Sequence, residues 1–526
     1  MAPDPRGNRG AAGPDDPSGA PGGAPPRELP GSVSPSAPAS DVGRKPLADD
    51  DGPSTLRPRI GQVLAPLVFL GVWFAPLDLE PQPHRLAAIF GAVVILWVTE
   101  ALPIAATALL IAPAMVAAGV CDADTAFAPY ADPLLFLFIG GFFIARAMAR
   151  HGLDRRIANG LVSLPIVRGR PSRVRLAFML TGAALSMWIS NTATTAILVP
   201  ILLGTFAGSS ERRSGSLLAV AYACSIGGLG TMVGSPPNGI TARLLTAAGH
   251  PFDFVRWMMI GVPVALGCLV LVYVFSNRVL PAIPAPPPEP EDEVASIAGN
   301  PGGGWTRGER VVLAAFGLAV AGWMVPGILK SAGSELGAAL SSALPGGVVA
   351  ILAASVLFLF RDDRGELVLP WKEANRIDWG IVMLFGGGLS LGVQMADTGL
   401  ADEVARAFVR STGITDLWAL TILIAVATIF FTEVCSNTAS ANILVPIVIA
   451  IANEAGVSPI PPALAVGLAA SCAFMLPIAT GPNAIVYGSG QVTLPEMMKF
   501  GFWLNLGAGL LIVLLLWLLL PLYGWI

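Results

Sequence analysis

Ser190-Asn191-Thr192-Ala193-Thr194 lies inside a long apolar run, and Ser436-Asn437-Thr438-Ala439-Ser440 repeats it 246 residues later. Small polar side chains compete with the backbone for hydrogen bonds and so favour helix ends over helix interiors. Two such clusters in apolar surroundings predict two places where helices break within a bilayer. Irregular backbone at that depth is tolerated only where protein buries it or it lines a cavity. The pair therefore reads as a binding site between the two halves of a transporter.

Composition agrees. The chain has 526 residues, 54% hydrophobic and 13% charged, with a mean hydropathy of +0.69. Soluble domains carry about 25% charged residues, so this is an all-α polytopic membrane protein. Cys121, Cys224, Cys268, Cys435 and Cys472 show no paired spacing, which indicates neither a disulfide framework nor a zinc site. His84, His151 and His250 lie far apart near segment ends and read as solvated or interfacial.

Residues 1–56 are rich in Pro, Gly, Ala, Ser and Asp and lack an apolar run. They are expected to form a disordered cytoplasmic tail without a signal peptide. A span needs about 20 apolar residues. On that measure about 11 transmembrane helices fall near 59–78, 84–102, 103–120, 133–150, 216–250 (interrupted), 257–280, 308–329, 342–360, 378–398, 461–492 (interrupted) and 500–522. The cluster-bearing segments, 174–207 and 416–450, read as two re-entrant hairpins with the polar residues at their tips. The first transmembrane half is 57–280, an extra helix plus repeat 1. A Pro-rich cytoplasmic linker covers 281–306, and 307–526 is the second half, repeat 2.

Charge tests this topology. With the N-terminus cytoplasmic and the C-terminus outside, Arg146, Arg150, Arg155, Arg156, Arg168, Arg170, Arg173, Arg175, Arg212 and Arg213 face the cytoplasm. So do Arg307, Arg310, Arg361, Arg364, Lys372, Arg376 and Lys499, whereas Arg85, Arg243, Arg256, Lys330, Arg406 and Arg410 lie outside. That bias follows the positive-inside rule. A bacterial inner (plasma) membrane is the expected location. The basic run at 146–175 reads as an interfacial helix over anionic lipid, not as a nucleic-acid surface.

The repeat extends beyond the clusters. Asp132 and Asp378 precede spans of similar design. Phe138-Ile139-Gly140-Gly141 matches Leu384-Phe385-Gly386-Gly387, and Val199-Pro200-Ile201 matches Val445-Pro446-Ile447. Gly234-Ser235-Pro236-Pro237-Asn238 aligns with Ala479-Thr480-Gly481-Pro482-Asn483. In this topology the halves enter the membrane from opposite sides, the inverted-repeat plan of many secondary transporters.

Each half also holds an interrupted helix, because Pro236, Pro237 and Pro482 cannot continue one. A break frees carbonyls at one end, which with hydroxyls and Asn oxygens suit a hard cation such as sodium. It frees N–H groups at the other, which suit an anion. Neither cluster nor break contains Lys or Arg. An anionic ligand would therefore be offset by dipoles, amides and bound cations, a physical reason to expect cation coupling. Glu433 and Glu100 read as structural, packed against polar backbone or at an interface; Asn238 and Asn483 fit the site and the caps of the half-helices that follow equally well, and the glycines at 140–141 and 386–388 read as packing positions.

At these motifs the chain resembles the divalent-anion–sodium symporter family, whose members carry dicarboxylates, citrate or sulfate. The resemblance covers roughly 59–526. It implies a scaffold domain and a transport domain per protomer, and a homodimer working by an elevator movement. It implies one sodium site at Ser186, Ser190, Asn191 and Gly234, and another at Thr432, Ser436, Asn437 and Ala479. It implies substrate contacts at Asn191, Thr192, Ser235, Ser436, Asn437, Thr438 and Thr480. Gly481 departs from the family's usual Thr-Pro-Pro, and Ser440 stands where the first cluster has Thr194. The expected activity is sodium-coupled symport of small dianions, foremost C4-dicarboxylates such as succinate, malate and fumarate. A sodium-independent exchanger, a sulfate or citrate carrier and an ion antiporter are the alternatives. A membrane-embedded enzyme finds no support, since no intramembrane His pair, acidic dyad or nucleophile-with-base pattern is present.

Overall fold

The computed structural model describes residues 56–162, 171–205, 214–279 and 304–526. The expected tail lies outside the described residues except for Leu56, and so does the expected linker except for 304–306. Arg168, Arg170, Arg212 and Arg213 also fall outside them.

The first half runs α1 (Leu56–Phe74), α2 (Pro81–Thr99), α3 (Ile104–Ala117), α4 (Ala123–Phe127), α5 (Pro133–His151), α6 (Leu153–Val162), α7 (Pro171–Ser186), α8 (Asn191–Thr205), α9 (Ser214–Gly227), α10 (Pro236–Ala247) and α11 (Phe254–Val279). The second runs α12 (Arg307–Ser331), α13 (Glu335–Ala343), α14 (Gly346–Leu359), α15 (Trp371–Ala374), α16 (Trp379–Asp397), α17 (Leu400–Thr412), α18 (Leu417–Thr432), α19 (Asn437–Glu454), α20 (Ile460–Ala469), α21 (Gly481–Gly488) and α22 (Leu494–Leu522). Six described helices are long and apolar enough to cross a membrane alone, or up to eight spans if α13–α14 and α17–α18, bent by 70° and 106°, each count as one. The short helices α6 and α17 are amphipathic stretches that the apolar-run reading did not separate; α6 falls within the basic run at 146–175.

Helix ends follow local chemistry. Asp132 accepts a hydrogen bond from Leu134 N at the start of α5, and Asp378 one from Ile381 N at the start of α16. Thr306 with Glu309, and Thr493 with Glu496, form capping boxes at α12 and α22. The repeat reaches these boundaries: α5 and α16 begin and end 246 residues apart, and so do α7 and α18.

Glycine lets the helices of the two halves touch. A Cβ on Gly140 of α5 would lie 2.5 Å from the backbone of Ala350 in α14. One on Gly387 of α16 would lie 2.4 Å from the Ala108 carbonyl of α3. The glycines at 140 and 386–388 are thus packing positions. Every residue of α9 and of α20 is buried, so these two helices form the centre of their halves. Both α7 and α8 pack on α9, and both α18 and α19 pack on α20. Leu510, Leu514, Trp517 and Leu518 of α22, and Leu266, Val270 and Val274 of α11, are exposed in the isolated chain. Hydrocarbon is the solvent in which such a surface carries no penalty.

Candidate functional site

Chain breaks separate α7 from α8 at 187–190, α18 from α19 at 433–436, α9 from α10 at 228–235, and α20 from α21 at 470–480. The N-termini of α8, α10, α19 and α21 begin at Asn191, Pro236, Asn437 and Gly481, and all four residues line one cavity of about 480 Å³. Ser190, Thr192, Gly234, Ser235, Ser436, Thr438, Ala479 and Thr480 line the same cavity. Each half-helix after a proline break packs on the opposite half: α10 on α19 and α20, α21 on α8 and α9.

The same hydrogen bonds recur in both halves. Ser186 Oγ donates to Asn191 Oδ1 at 2.6 Å, and Thr432 Oγ1 to Asn437 Oδ1 at 2.8 Å. Thr194 Oγ1 donates to Ser190 O at 3.1 Å, and Ser440 Oγ to Ser436 O at 3.0 Å, so the Thr-to-Ser difference leaves this bond intact. Asn238 Nδ2 donates to Gly228 O (2.8 Å) and Thr231 O (2.7 Å). Asn483 Nδ2 donates to Ala473 O and Leu476 O, both at 3.0 Å. This corrects the capping role expected for Asn238 and Asn483. The N-cap positions belong to Ser235 and Thr480, and the asparagines tie down the loops that precede them.

Oxygen atoms crowd beneath the first cluster. A Cβ on Gly234 would meet Gly228 O at 2.6 Å and Met187 O at 2.9 Å, and one on Gly228 would meet Asn191 Oδ1 at 2.8 Å. Only glycine leaves that oxygen-lined space clear. A neutral set of carbonyl, hydroxyl and amide oxygens suits a hard monovalent cation. In the second half Thr432 Oγ1 also lies 2.9 Å from Ala470 O, so its single proton serves two neighbouring oxygens. Ser186 and Thr432 are fully buried and lie beneath the cavity wall.

The family model described as the sodium:sulfate symporter transmembrane region matches residues 59–525. The chain belongs to this symporter family. It is 37% identical to an uncharacterized transporter of Haemophilus influenzae over 84% of this chain and 92% of the relative. It is 31% identical to the sodium-dependent dicarboxylate transporter SdcS of Staphylococcus saprophyticus, over 88% of this chain and 91% of the relative. Its identity to SdcS of Staphylococcus aureus strain MRSA252 is 32% with the same coverage. Among solved structures, the Alcanivorax borkumensis YdaH transporter shares the fold, with a TM-score of 0.50, 16% identity, and coverage of 88% of this chain and 98% of that one. As a member of this symporter family the chain is an integral membrane transporter, not an enzyme, and sodium is the co-substrate ion that the family implies.

Two features of this cavity lie outside the Ser-Asn-Thr clusters. Glu433, read from the sequence as structural, is buried. It accepts hydrogen bonds from Phe474 N (2.7 Å), Met475 N (2.8 Å), Leu476 N (3.0 Å) and Asn505 Nδ2 (2.7 Å). It thus holds the irregular loop before Thr480. Its counterpart Met187 cannot do so, and the corresponding loop of the first half is a 3₁₀ turn over Gly228–Gly230. The second feature is Arg57 of α1, which lines the cavity together with Glu100 and Asp378. Glu100 is half-exposed and takes a left-handed backbone conformation (φ 52°) as the C-cap of α2.

Proposed function

We propose that this protein is a sodium-coupled symporter of small dianions, foremost C4-dicarboxylates. The observation that carries the reading is the convergence of four half-helix N-termini on one cavity, with an oxygen-rich cradle beneath the first cluster and the buried Thr432 hydroxyl and Ala470 carbonyl beneath the second. Each N-terminus presents a positive dipole end worth about 0.3–1 kcal/mol toward an anion; α8 and α19 add first-turn N–H groups, whereas α10 and α21, opened by Pro236, Pro237 and Pro482, add only those of Ser235 and Gly481. The carboxylates of the substrate take Asn191, Thr192, Ser436, Asn437, Thr438 and Thr480. Sodium sits with Ser186, Ser190, Asn191 and Gly234 in one half, and with Thr432, Ser436, Asn437 and Ala479 in the other. Ser235 contributes its N–H, because its hydroxyl is already paired with Ser471. Sodium placed first raises the local positive charge, and the dianion then binds more tightly. The SdcS relatives, named as sodium-dependent dicarboxylate transporters, support the choice of substrate class.

On this reading α7–α8 and α18–α19 are re-entrant hairpins of an inverted repeat, since both members of each pair pack on one central helix. They form the mobile part of a two-domain protomer, which moves by an elevator step within a homodimer. The halves are 57–280 and 307–526, with the cytoplasm on the side of Arg57, Glu100 and Asp378. The cavity mouth on that side makes this the inward-facing state.

The test is uptake of radiolabelled succinate into proteoliposomes with and without an inward sodium gradient, comparing wild type with Asn191→Ala and Asn437→Ala. Sodium-dependent uptake lost in both variants is the expected result. Uptake that needs internal dicarboxylate but no sodium makes the protein an exchanger, sulfate uptake without succinate uptake moves the substrate class, and normal uptake by both variants overturns the site.

A further inference from the structure

Among the described residues, Arg57 is the one cationic side chain in a cavity wall that also carries Glu100, Asp378 and Glu433. These acids are unequal. Glu433 spends both oxygens on four N–H donors. Asp378 caps α16 through Ile381 N at 3.2 Å. Glu100 lies 3.9 Å from Arg57 Nη2. A dianion approaching such a wall meets net negative charge except at Arg57.

Arg57 is held, and part of it is left over. Its Nε donates to Val98 O at 3.1 Å, and its Nη2 donates both to Val98 O and to Val434 O. Val98 ends α2 and Val434 follows α18, so the guanidinium sits against the negative dipole ends of two helices. These bonds occupy Nε and Nη2. No hydrogen bond among the described residues occupies Nη1, whose two N–H groups remain as donors for charge-assisted hydrogen bonds to a carboxylate. The side chain is one-third exposed, so water and solute reach it. Arg57 precedes residue 59, where the family match begins.

We propose that Arg57 is the charge-reading residue at the cavity mouth: one carboxylate of the incoming dianion pairs with its Nη1 edge on the way to Asn191 and Asn437. This rests on the dianion reading above. The bonds to Val98 and Val434 fix the guanidinium in place, so pairing costs little side-chain entropy.

Equilibrium binding of radiolabelled succinate to the purified full-length protein in sodium tests it. Arg57→Gln should raise Kd about tenfold and Arg57→Lys about threefold, since lysine keeps the charge but loses the planar guanidinium. Binding of the monoanion monomethyl succinate should change less than about threefold in Arg57→Gln. In the wild type, Kd for succinate should rise more steeply with ionic strength than Kd for the monoester, a readout that stands even if Arg57→Gln does not fold. An unchanged succinate Kd in Arg57→Gln, equal losses for dianion and monoanion, or equal salt slopes would overturn the proposal while leaving the symporter reading intact. Absence of binding of succinate, citrate and sulfate to the wild type would overturn both.

Discussion

Ser235 and Ser471 meet hydroxyl to hydroxyl at 2.7 Å across 236 residues of chain. Ser235 opens the half-helix after the first break and Ser471 lies within the second. Tyr222 also donates to Phe474 O at 2.7 Å, so the two breaks form one buried junction, not two separate half-sites. Thermal stabilities of Ser235→Ala, Ser471→Ala and the double variant should show a coupling of about 1 kcal/mol. Strictly additive losses would contradict the junction.

Gly481 is required by its neighbour. A Cβ there would lie 2.0 Å from Thr192 Oγ1 and 2.9 Å from Thr192 Cβ. A β-branched residue has little rotamer freedom to yield. Gly481→Ala should therefore destabilise the protein by about 1–3 kcal/mol and raise the KM for substrate, because Thr192 belongs to the proposed site. A melting temperature and KM within error of wild type would show that α8 and α21 can separate freely.

Glu433 should not tolerate its amide. In Glu433→Gln one oxygen becomes an NH₂ facing backbone N–H groups, and at least one buried donor loses its acceptor. A loss of about 1–3 kcal/mol is expected, seen as a lower melting temperature. Impaired transport in this variant is thus no evidence for proton coupling. The pH profile of the remaining uptake answers that question, since proton coupling through Glu433 would flatten it.

Ser186 and Thr432 lie beneath the cavity wall and touch the proposed sodium cradles. Ser186→Ala and Thr432→Ala should each raise the sodium concentration for half-maximal succinate binding about fivefold, the equivalent of one hydrogen-bond-sized contact. Succinate Kd at saturating sodium should stay near wild type. A change in succinate Kd with unchanged sodium dependence would move both residues out of the cation sites.

Outside the membrane, Arg146 donates to Glu373 at 2.6 Å and Arg376 lies 3.0 Å from the same carboxylate. The Arg146 hydrogen bond holds the Glu373 carboxyl below its usual range. A depressed folded-state value stabilises the protein above the ordinary carboxylate range, and that contribution disappears as pH falls through the folded value. The melting temperature of Glu373→Gln should therefore lie below wild type at neutral pH and converge with it in acid. A gap that persists at low pH would mean packing, not charge, is responsible.

Much of the architecture was legible along the chain. The expected spans agree with the helices to within a few residues for α2, α3, α5, α11 and α16, and the two Ser-Asn-Thr clusters fall at helix breaks. The glycines at 140 and 386–388 proved to be contact points, as small residues in membrane helices tend to be. The amphipathic α6 lies within the basic run read as an interfacial helix, whereas the short amphipathic α17 was not distinguished, because a window that seeks apolar runs passes over helices with one polar face. The asparagines at 238 and 483 looked like caps from their distance to proline, yet their amides turn back to loop carbonyls seven and ten residues earlier.

The sequence by itself determined that this is an all-helical membrane protein, where its helices break, and that its two halves share one plan. Those properties depend on hydropathy, proline geometry and side chains competing with backbone within one turn, all of which act locally. Only the tertiary structure decided that the four breaks meet at one cavity, that Ser235 finds Ser471, that Glu433 anchors the loop before Thr480, and that Arg57 supplies the one cation among the described wall residues. Each of these pairings joins residues from 41 to 377 positions apart. Local propensity sets no distance between such residues; the packing of α8, α9, α20 and α21 does.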